Sequence, residues 1–524
     1  MKANAPALMI LGTGSHAGKS VLAAGLCRLF RQRGLRVAPF KAQNMSLNSA
    51  AVEGGEIGRA QAVQAAACGL SPNVDMNPVL LKPAGPGHCQ LIVQGRPHGT
   101  ISSRNHGIYG AEVIAAIRAS YTRLAHTVDL MVIEGAGSPA EINLSDRDFA
   151  NMWMADQAGA ACLLVADIER GGAFAALYGT WSLVPSQHRI GGFVLNKFRG
   201  DASLLDSGNQ QLEALTGVRM LAVLPFFDPN LPEEDSLALP VTARGPAAFA
   251  TADFAMAGFD ALRIGVLRFP HLSNFTDFGP LQLEPGVALR YIWDAEAMAA
   301  CDVLILPGTK STVADLGALR ASGLESALRR AVEMGTPVLG ICGGYQMLGR
   351  AISDPANVES PNPQTTGLGW LPVHTVFEPG KRVERCHGRL HGTQIEIEGY
   401  VMQHGRITRA GTGESWIDID TGTTPELEGC VLGRIWGTSL HGLFESAALR
   451  RYAIKRWCTW AGKSDPAGHP ESPATISPTL DARLDRWAEF LRPHFDIDAL
   501  LALARGQTQV GPALEPPHME QPHA

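Results

Sequence analysis

The sequence contains no Cys-x-x-Cys pair and no apolar run as long as a membrane-spanning helix requires. Its nine cysteines are an odd number and are scattered over 524 residues. This pattern is typical of reduced thiols in the cytoplasm and argues against a disulfide framework or a zinc site. Residues 1–4 lead straight into an apolar segment, so we also expect no signal peptide.

Basic residues are neither in excess nor clustered. The chain carries 44 lysines and arginines against 50 aspartates and glutamates, for a net charge of −6. This balance argues against a general nucleic-acid binder, and we expect small-molecule partners with no nucleic acid and no membrane surface. A hydrophobic content of 45% over this length is enough for two or more cores. The sequence leaves the oligomeric state open.

Apolar strands alternate with helices in the first part of the chain, which we assign to residues 1–230. Residues 7–11 predict a buried parallel strand, and residues 20–33 predict a helix whose apolar face carries Leu22 and Leu26. Further strands are predicted at residues 36–40, 130–133, 161–165, 192–195 and 220–224. This alternation predicts an α/β fold with a doubly wound parallel sheet covered by helices on both faces.

A second alternating series follows a break in this pattern. Residues 231–257 are rich in Pro, Glu, Asp and Ala and predict a linker. We assign the next domain to residues 258–450. Its strands are predicted at residues 262–266, 303–306, 337–339 and 433–437. The sequence therefore predicts a second α/β domain after the first.

The C-terminal part differs from both domains. Residues 451–505 predict a helical extension, in which Leu484, Trp487 and Phe490 form an apolar stripe suited to docking. Residues 506–524 are rich in Pro and Gln and predict a disordered tail.

A glycine-rich loop, residues 12–18, joins the first strand to the first helix. Backbone N–H groups at Gly14 and Gly18 would cradle phosphates, and Lys19 would reach the outer phosphates. The hydroxyl of Ser20 suits Mg²⁺. Because Thr13 stands where the strict phosphate-loop pattern has its first glycine, the match rests on the strand–loop–helix context. The loop predicts an ATP site that uses Mg²⁺.

Glu134 ends the predicted strand at 130–133 and enters another glycine turn. The carboxyl edge of a parallel sheet is where ligands bind, so this carboxylate would lie beside the phosphate loop. We expect Glu134 to be the second Mg²⁺ ligand with Ser20, and the alternative is a loop or capping carboxylate.

Cys342 lies in the sequence Gly-Ile-Cys-Gly-Gly, between an apolar strand and a helix. Small residues around a Cys at such a turn predict a nucleophile elbow, and the helix N-terminus favours the thiolate. The backbone N–H of Gly343 would be one oxyanion donor, and the strand-to-loop turn at Gly308 would bring the other. His441 follows the predicted strand at 433–437 and is the candidate base.

At Cys342 and His441 the chain resembles class I glutamine amidotransferases, which release ammonia from glutamine. That family carries a Glu two residues after the His, and here the position is Leu443. The chain looks like the subgroup with a Cys–His dyad found in corrinoid-amidating enzymes. On this resemblance we expect no strong orienting carboxylate, with Glu445 as a weak candidate. The phosphate loop, for its part, resembles that of dethiobiotin synthetase and its relatives.

Several long stretches resemble the cobyric acid synthase family, and the resemblance covers residues 1 to about 500. The stretches are residues 39–49, 134–144, 167–172 and 268–278. The resemblance implies ATP- and glutamine-dependent amidation of the b, d, e and g carboxylates of adenosylcobyrinic acid a,c-diamide. The corrinoid would be the substrate, so no protein ligand to its cobalt is expected.

Substrate and adenine contacts follow from this resemblance and from position. Polar side chains after the second strand suit an amide- and carboxylate-fringed substrate, and the alternative is a polar turn. These residues are Lys41, Asn44, Ser46 and Asn48. In related synthetases an Asn after the strand at 192–195 contacts adenine, so Asn196 is the candidate for base recognition.

Two other functions remain possible from the sequence. One is cobyrinic acid a,c-diamide synthase, which has the same domains and acts on earlier carboxylates, although residues 41–48 and 268–278 favour the b, d, e, g enzyme. The other is a nucleotide-switch ATPase that carries a degenerate amidotransferase module. Intact Cys342 and His441 argue against degeneration.

Overall fold

The computed structural model describes residues 4–83, 87–102, 110–232, 234, 261–421, 425–466 and 479–507. Apart from a few residues, the predicted linker and the predicted C-terminal tail lie outside these ranges. None of the helices within them combines the length and the apolar character that a bilayer crossing requires.

The first part of the chain contains twelve strands and six α-helices within the described ranges. The strands are β1 Ala7–Gly12, β2 Val37–Phe40, β3 Gln43–Met45, β4 Ser49–Val52, β5 Gly55–Gly58, β6 Val79–Pro83, β7 His88–Val93, β8 Arg96–Ser102, β9 Leu130–Glu134, β10 Ala161–Asp167, β11 Ile190–Phe198 and β12 Met220–Pro225. The helices are α1 Lys19–Gln32, α2 Arg59–Cys68, α3 Ala111–Ala125, α4 Met152–Ala158, α5 Ala173–Leu183 and α6 Asp206–Thr216.

A parallel six-stranded sheet forms the centre of this part, in the order β12-β11-β10-β1-β9-β2. Alternate residues of β1 enter different apolar cores, because successive side chains of a strand point to opposite faces. Leu8 and Ile10 belong to one core, and Met9 and Leu11 belong to the other. The predicted doubly wound sheet, covered on both faces, is confirmed.

Six short strands inserted between β2 and α3 were not predicted. They form a four-stranded sheet, β3-β6-β7-β8, and a separate hairpin, β4-β5. Several of these strands carry buried polar residues rather than continuous apolar runs, so hydrophobic periodicity gives a weak signal for them.

The second part of the chain is again α/β. Its strands are β13 Leu262–Leu267, β14 Val287–Ile292, β15 Val303–Leu306, β16 Val338–Ile341, β17 Ala351–Ser353, β18 Gln364–Thr366, β19 Val373–Leu390, β20 Glu396–Arg409, β21 Ile417–Ile419, β22 Glu426–Glu428, β23 Cys430–Leu432, β24 Ile435–Thr438 and β25 Leu440–His441. Its helices are α7 Gly279–Gln282, α8 Ala295–Ala299, α9 Thr312–Ala321, α10 Leu324–Glu333, α11 Gly343–Leu348 and α12 Ala447–Ala461.

Two sheets organise this second part. One has the order β14-β13-β15-β16-β24-β23 and is parallel except at its β23 edge. The other is built on the long hairpin of β19 and β20, to whose edge β25 is added. Cys342 follows β16, and His441 ends β25, so the two sheets meet at these residues.

The chain then returns to its first part through α13 Leu480–Leu491 and α14 Ile497–Ala504. The indole Nε1–H of Trp487 donates to the carbonyl of Val21 in α1 at 2.8 Å. Arg28 of α1 also binds Asp485 of α13. The apolar stripe predicted for docking therefore packs against the helix that follows the phosphate loop.

Candidate active sites

Cys342 occupies a strained position between β16 and α11. Its backbone has φ 50° and ψ −108°, a conformation that L-residues seldom adopt. A Cβ added at Gly344, in the first turn of α11, would clash with the carbonyl oxygen of Leu306 at the end of β15, so the close approach of helix and strand requires glycine there. The cysteine is 6% exposed. This geometry is that of the predicted nucleophile elbow.

His441 is held by a carboxylate that the sequence did not reveal. Its Nδ1 lies 2.6 Å from Oδ2 of Asp277, a residue 164 positions upstream. Oδ1 of Asp277 also accepts the N–H of Gly442 at 3.0 Å. The histidine is 1% exposed and the aspartate 4%. The expectation of a histidine without a strong orienting charge is therefore corrected.

Neither of the two positions considered from the sequence, Leu443 and Glu445, orients His441. Leu443 is buried in the apolar core, and Glu445 is exposed. Asp277 lies in the short 3-10 helix Phe275–Phe278, within the stretch 268–278 that carried the family resemblance. That stretch was the available signal, because Asp277 is the one carboxylate in it.

The charges around His441 favour its protonated form. Burial alone would lower its pKa, but the negative charges of Asp277 and Cys342 raise the pKa to about 10. The site therefore favours a charged imidazolium beside the sulfur of Cys342, with Asp277 fixing the ring.

A polar pocket surrounds the sulfur of Cys342. The pocket is lined by Lys82, Ser273, Asn274, Thr309, Lys310, Thr312, Cys342, Gln346, Glu359, Lys381, Met402, Gln403, His404 and His441. Gly308 borders this pocket, because a Cβ added to it would lie 2.9 Å from Cε1 of His441. Gly343 follows the cysteine directly as the first residue of α11. The oxyanion role of the two glycines stays a prediction.

One lysine of this pocket comes from the first part of the chain. Lys82 in β6 donates to Glu56 at 2.7 Å and to the hydroxyl of Ser49 at 2.9 Å. Glu56 also binds Lys381 of β19. Burial lowers the pKa of Lys82 to about 7, against the opposing charge of Glu56. The pocket around Cys342 is therefore closed by residues of both parts of the chain.

A second contact across this interface reaches His441. Arg59, the first residue of α2, donates to the hydroxyl of Tyr400 at 2.7 Å. The Tyr400 ring is stacked on the imidazole of His441, with 5.2 Å between the ring centroids. The Tyr400 hydroxyl donates in turn to the carbonyl of Ser49.

The phosphate loop has the predicted strand–loop–helix geometry. Gly18 has φ 101°, and α1 begins at Lys19. The ammonium of Lys19 donates to the carbonyls of Gly14 at 2.9 Å and Gly137 at 2.8 Å. Burial, with a contribution from the charge of Lys41, lowers the pKa of Lys19 to about 8. The amide Nδ2 of Asn196 donates to Ala17, which places Asn196 against the loop.

Ser20 and Glu134 lie together, as expected of shared metal ligands. The Ser20 hydroxyl is 2.7 Å from Oε1 of Glu134 and 2.6 Å from Oε2 of Glu234. Gln61 and Gln64 of α2 donate to the other oxygen of Glu134. The oxygen donors of this cluster are of the kind that Mg²⁺ prefers.

Lys41 is part of this same cluster. It is 3% exposed, and its ammonium contacts Glu134 at 2.8 Å and Glu234 at 2.7 Å. Although burial opposes its charge, the two carboxylates raise the pKa of Lys41 above its ordinary value. The structure therefore places Lys41 at the nucleotide site.

The other three predicted substrate residues are also buried. Asn44 donates to Gln61, and Ser46 donates to the carbonyls of Asn48 and Glu234. Asn48 accepts a hydrogen bond from Thr276 of the second part. The polar stretch thus runs from the nucleotide site to the interface, and its contact with a corrinoid stays a prediction.

Two family models match the chain. Residues 8–239 match the CobQ/CobB/MinD/ParA nucleotide binding domain, and residues 263–449 match the CobB/CobQ-like glutamine amidotransferase domain. The phosphate loop lies in the first match, and Cys342, Asp277 and His441 lie in the second.

Relatives match almost the whole chain. The cobyric acid synthase of Sorangium cellulosum is 44% identical over 512 residues, which are 91% of this chain and 97% of the relative. That of Pelotomaculum thermopropionicum is 43% identical, over 95% of this chain and 96% of the relative. A solved structure described as a glutamine amidotransferase is 20% identical, with a TM-score of 0.30, over 38% of this chain and 98% of its own.

Proposed function

The chain belongs to the cobyric acid synthase family, and we propose that its two sites together amidate a corrinoid with ATP and glutamine. The proposed substrate is adenosylcobyrinic acid a,c-diamide, with the b, d, e and g carboxylates converted to amides. Relatives named cobyric acid synthase favour this reaction over the earlier amidations and over a nucleotide switch. All nine cysteines are free thiols, in keeping with a cytoplasmic location.

The observation that carries the proposal is the buried arrangement of Cys342, His441 and Asp277. A nucleophile on an elbow, a base and an orienting carboxylate are the parts that nucleophilic amide hydrolysis needs. They adjoin the part of the chain that holds the phosphate loop, where a carboxylate would be activated. A nucleotide switch has no need of such a site.

At the glutaminase site the sulfur of Cys342 would attack the side-chain amide carbon of glutamine. The C–N bond breaks, His441 gives its proton to the departing nitrogen, and ammonia leaves a thioester behind. Water, deprotonated by His441, then cleaves the thioester to glutamate and restores the thiol. Asp277 keeps the imidazole oriented in both steps, and Gly308 and Gly343 would face the developing oxyanion.

At the nucleotide site a corrinoid carboxylate oxygen would attack the γ-phosphorus of ATP, which yields an acyl phosphate and ADP. Ammonia then displaces phosphate and forms the amide. Lys19 and the loop N–H groups would bind the phosphates, while Asn196 would meet the adenine. Positioning and charge neutralisation are the contributions of the protein to these steps.

Mg²⁺ fits the donors present, because Ser20 offers a hydroxyl and Glu134 a carboxylate. In the part of the chain that the structure describes, no group of three or more His, Cys, Asp or Glu side chains could hold a metal by itself. Phosphate oxygens and water would therefore complete the coordination. When bound, Mg²⁺ would supply neutralising charge at the phosphates.

The test compares two nitrogen sources in the presence of ATP and the diamide. Cys342→Ala should lose synthesis from glutamine and keep synthesis from concentrated ammonia, because the acyl phosphate forms at the other site. Cys89→Ala, which removes a half-buried thiol of the first part, is the matched control. Product masses report each added amide. Normal synthesis from glutamine by Cys342→Ala would contradict the proposal.

A further inference from the structure

Two charged groups in the pocket of Cys342 have no ion-pair partner among the residues that the structure describes. They are the ammonium of Lys310, on the turn after β15, and the carboxylate of Glu359. Oε2 of Glu359 accepts the backbone N–H of Thr312 at 2.8 Å. Both side chains face the cavity that contains the nucleophile.

The other charges of the pocket are already paired. Lys82 and Lys381 both bind Glu56, and His441 is bound by Asp277. Burial lowers the pKa of Lys310 and raises that of Glu359 to about 7, although the opposite charge of each residue partly offsets the shift of the other. A ligand that brings one negative and one positive group would favour the charged forms of both Lys310 and Glu359.

Glutamine has this chemistry at the end that does not react. Its amide is neutral, whereas its α-carboxylate and α-ammonium carry opposite charges. We propose that Lys310 binds the α-carboxylate and Glu359 the α-ammonium of glutamine, so that the pair holds the amide against Cys342. This inference rests on the proposed glutaminase function and adds the residues that select an amino acid over other amides.

Both residues stand on segments that the fold holds in place. The backbone N–H of Lys310 donates to the carbonyl of His271, and the preceding Thr309 hydroxyl binds Asp315. The backbone N–H of Glu359 donates to Asp354 at 2.8 Å. Lys310 also lies two residues after Gly308, so one turn would carry a head-group contact and the oxyanion contact. Such fixed positions suit substrate selection.

The experiment removes one charge at a time from the enzyme and from the substrate. Lys310→Met and Glu359→Gln are assayed with glutamine, with 4-aminobutyramide, which lacks the α-carboxylate, and with glutaramate, which lacks the α-ammonium. Lys310→Met should lower kcat/KM for glutamine by about 10- to 100-fold and leave that for 4-aminobutyramide unchanged. Glu359→Gln should lower kcat/KM for glutamine by a similar factor and leave kcat/KM for glutaramate unchanged.

Testing each variant with the truncated substrate that lacks the other charged group makes the assignment specific. Lys310→Met should still discriminate against glutaramate, and Glu359→Gln should still discriminate against 4-aminobutyramide. Lys455→Met, an exposed lysine of α12, is the matched control and should behave as the parent enzyme. If either pocket variant keeps the parent ratio between glutamine and its matching truncated substrate, the clamp is wrong.

Alkylation by iodoacetamide separates this inference from the proposed function, because iodoacetamide has no amino-acid head group. Both variants should be alkylated at Cys342 at the parent rate, which would show that the nucleophile is intact. Slowed alkylation would show that the variants disturb the nucleophile, which overturns a purely binding role. A parent enzyme that releases no glutamate from glutamine would instead overturn the proposed function itself.

Discussion

The two sites differ in what their charged groups contact within the protein. At the glutaminase site, Asp277 and His441 are bonded to each other in the arrangement that catalysis uses, and Cys342 adjoins them. At the nucleotide site, Lys41 is bound to Glu134 and Glu234, and the same carboxylates hold Ser20. The proposed catalytic groups of the first site already contact one another, whereas the binding groups proposed for the second would exchange internal contacts for phosphate and metal contacts.

This difference shows how the protein meets the cost of buried charge. An isolated buried charge is expensive, so the catalytic groups of one site and the binding groups of the other are paired within the protein, whereas Lys310 and Glu359 have no ion-pair partner among the described residues. The internal ion pairs of the nucleotide site have to be broken when ATP binds, and this cost reduces the net affinity for ATP. The contrast predicts that a variant of the nucleotide site loses amidation but keeps glutamate release. A variant of the glutaminase site should lose glutamate release but keep synthesis from ammonia.

Lys19→Ala should give the largest effect and should act on one site alone. We expect amidation to fall by at least about 10²-fold with either nitrogen source, because both routes need the activated carboxylate. Glutamate release should persist, since the proposed catalytic groups of the glutaminase site contact one another without the nucleotide. Product masses and glutamate assays measure the two activities, and undiminished synthesis from ammonia would refute this loop as the ATP site.

Asp277→Asn tests the glutaminase site. The amide cannot stabilise a charged imidazole, so glutaminase activity should fall by about 10²-fold or more while ammonia-driven synthesis stays unchanged. Glu445→Gln is the matched control, and its rate should stay close to that of the parent enzyme because Glu445 is exposed. Equal losses in the two variants would mean that Asp277 has no special role.

The pH dependence of ATP binding should report the protonation of Lys19 at the nucleotide site. With a pKa lowered to about 8 from the model-compound value of 10.5, Lys19 loses its proton as the pH rises through 8 in the ligand-free enzyme. Bound phosphates favour the charged form, so ATP affinity should fall by up to about tenfold per pH unit above 8.

Calorimetry in two buffers of different ionisation enthalpy would detect the proton that Lys19 takes up when ATP binds. Lys19→Arg is the control, since the guanidinium stays charged throughout this range. A parent enzyme with a flat profile above pH 8 would show that Lys19 keeps its proton without ligand.

Tyr400→Phe should give the smallest effect. It removes the hydroxyl that links Arg59 to Ser49 but keeps the ring stacked on His441. We expect a loss of about 1 kcal/mol in the free energy of unfolding and less than about threefold change in glutaminase activity. Urea denaturation measures the first, with Tyr178→Phe at an exposed ring as control. A large loss of activity would place the hydroxyl in the chemistry.

The sequence predicted the features that depend on local pattern. Apolar runs located all six strands of the first central sheet and four of the six strands of the second, because a strand buried on both faces is continuously hydrophobic; β14 and β23 were missed. The phosphate loop and the cysteine elbow were visible since each needs small residues at fixed spacing around one functional side chain.

Features that depend on distant contacts were missed. Asp277 is 164 residues from His441, and no local spacing connects them. The stretch from Lys41 to Asn48 is polar, which suggested a substrate loop. The structure shows partners for these polar groups inside the protein, and the contact with a corrinoid stays a prediction. The sequence could not show these internal partners, because a polar segment looks alike whether it contacts a ligand or another part of the chain.

Helix α2 contacts both sites within ten residues. Its first residue, Arg59, reaches Tyr400 beside His441, and Gln61 and Gln64 hold Glu134 at the nucleotide site. A helix shared by two sites provides a physical route for coupling, and coupling between binding equilibria is always reciprocal: whatever factor ATP imposes on the affinity for glutamine, glutamine must impose on the affinity for ATP. Titrating ATP with and without glutamine on Cys342→Ala, where no turnover intervenes, would therefore measure the communication in both directions at once.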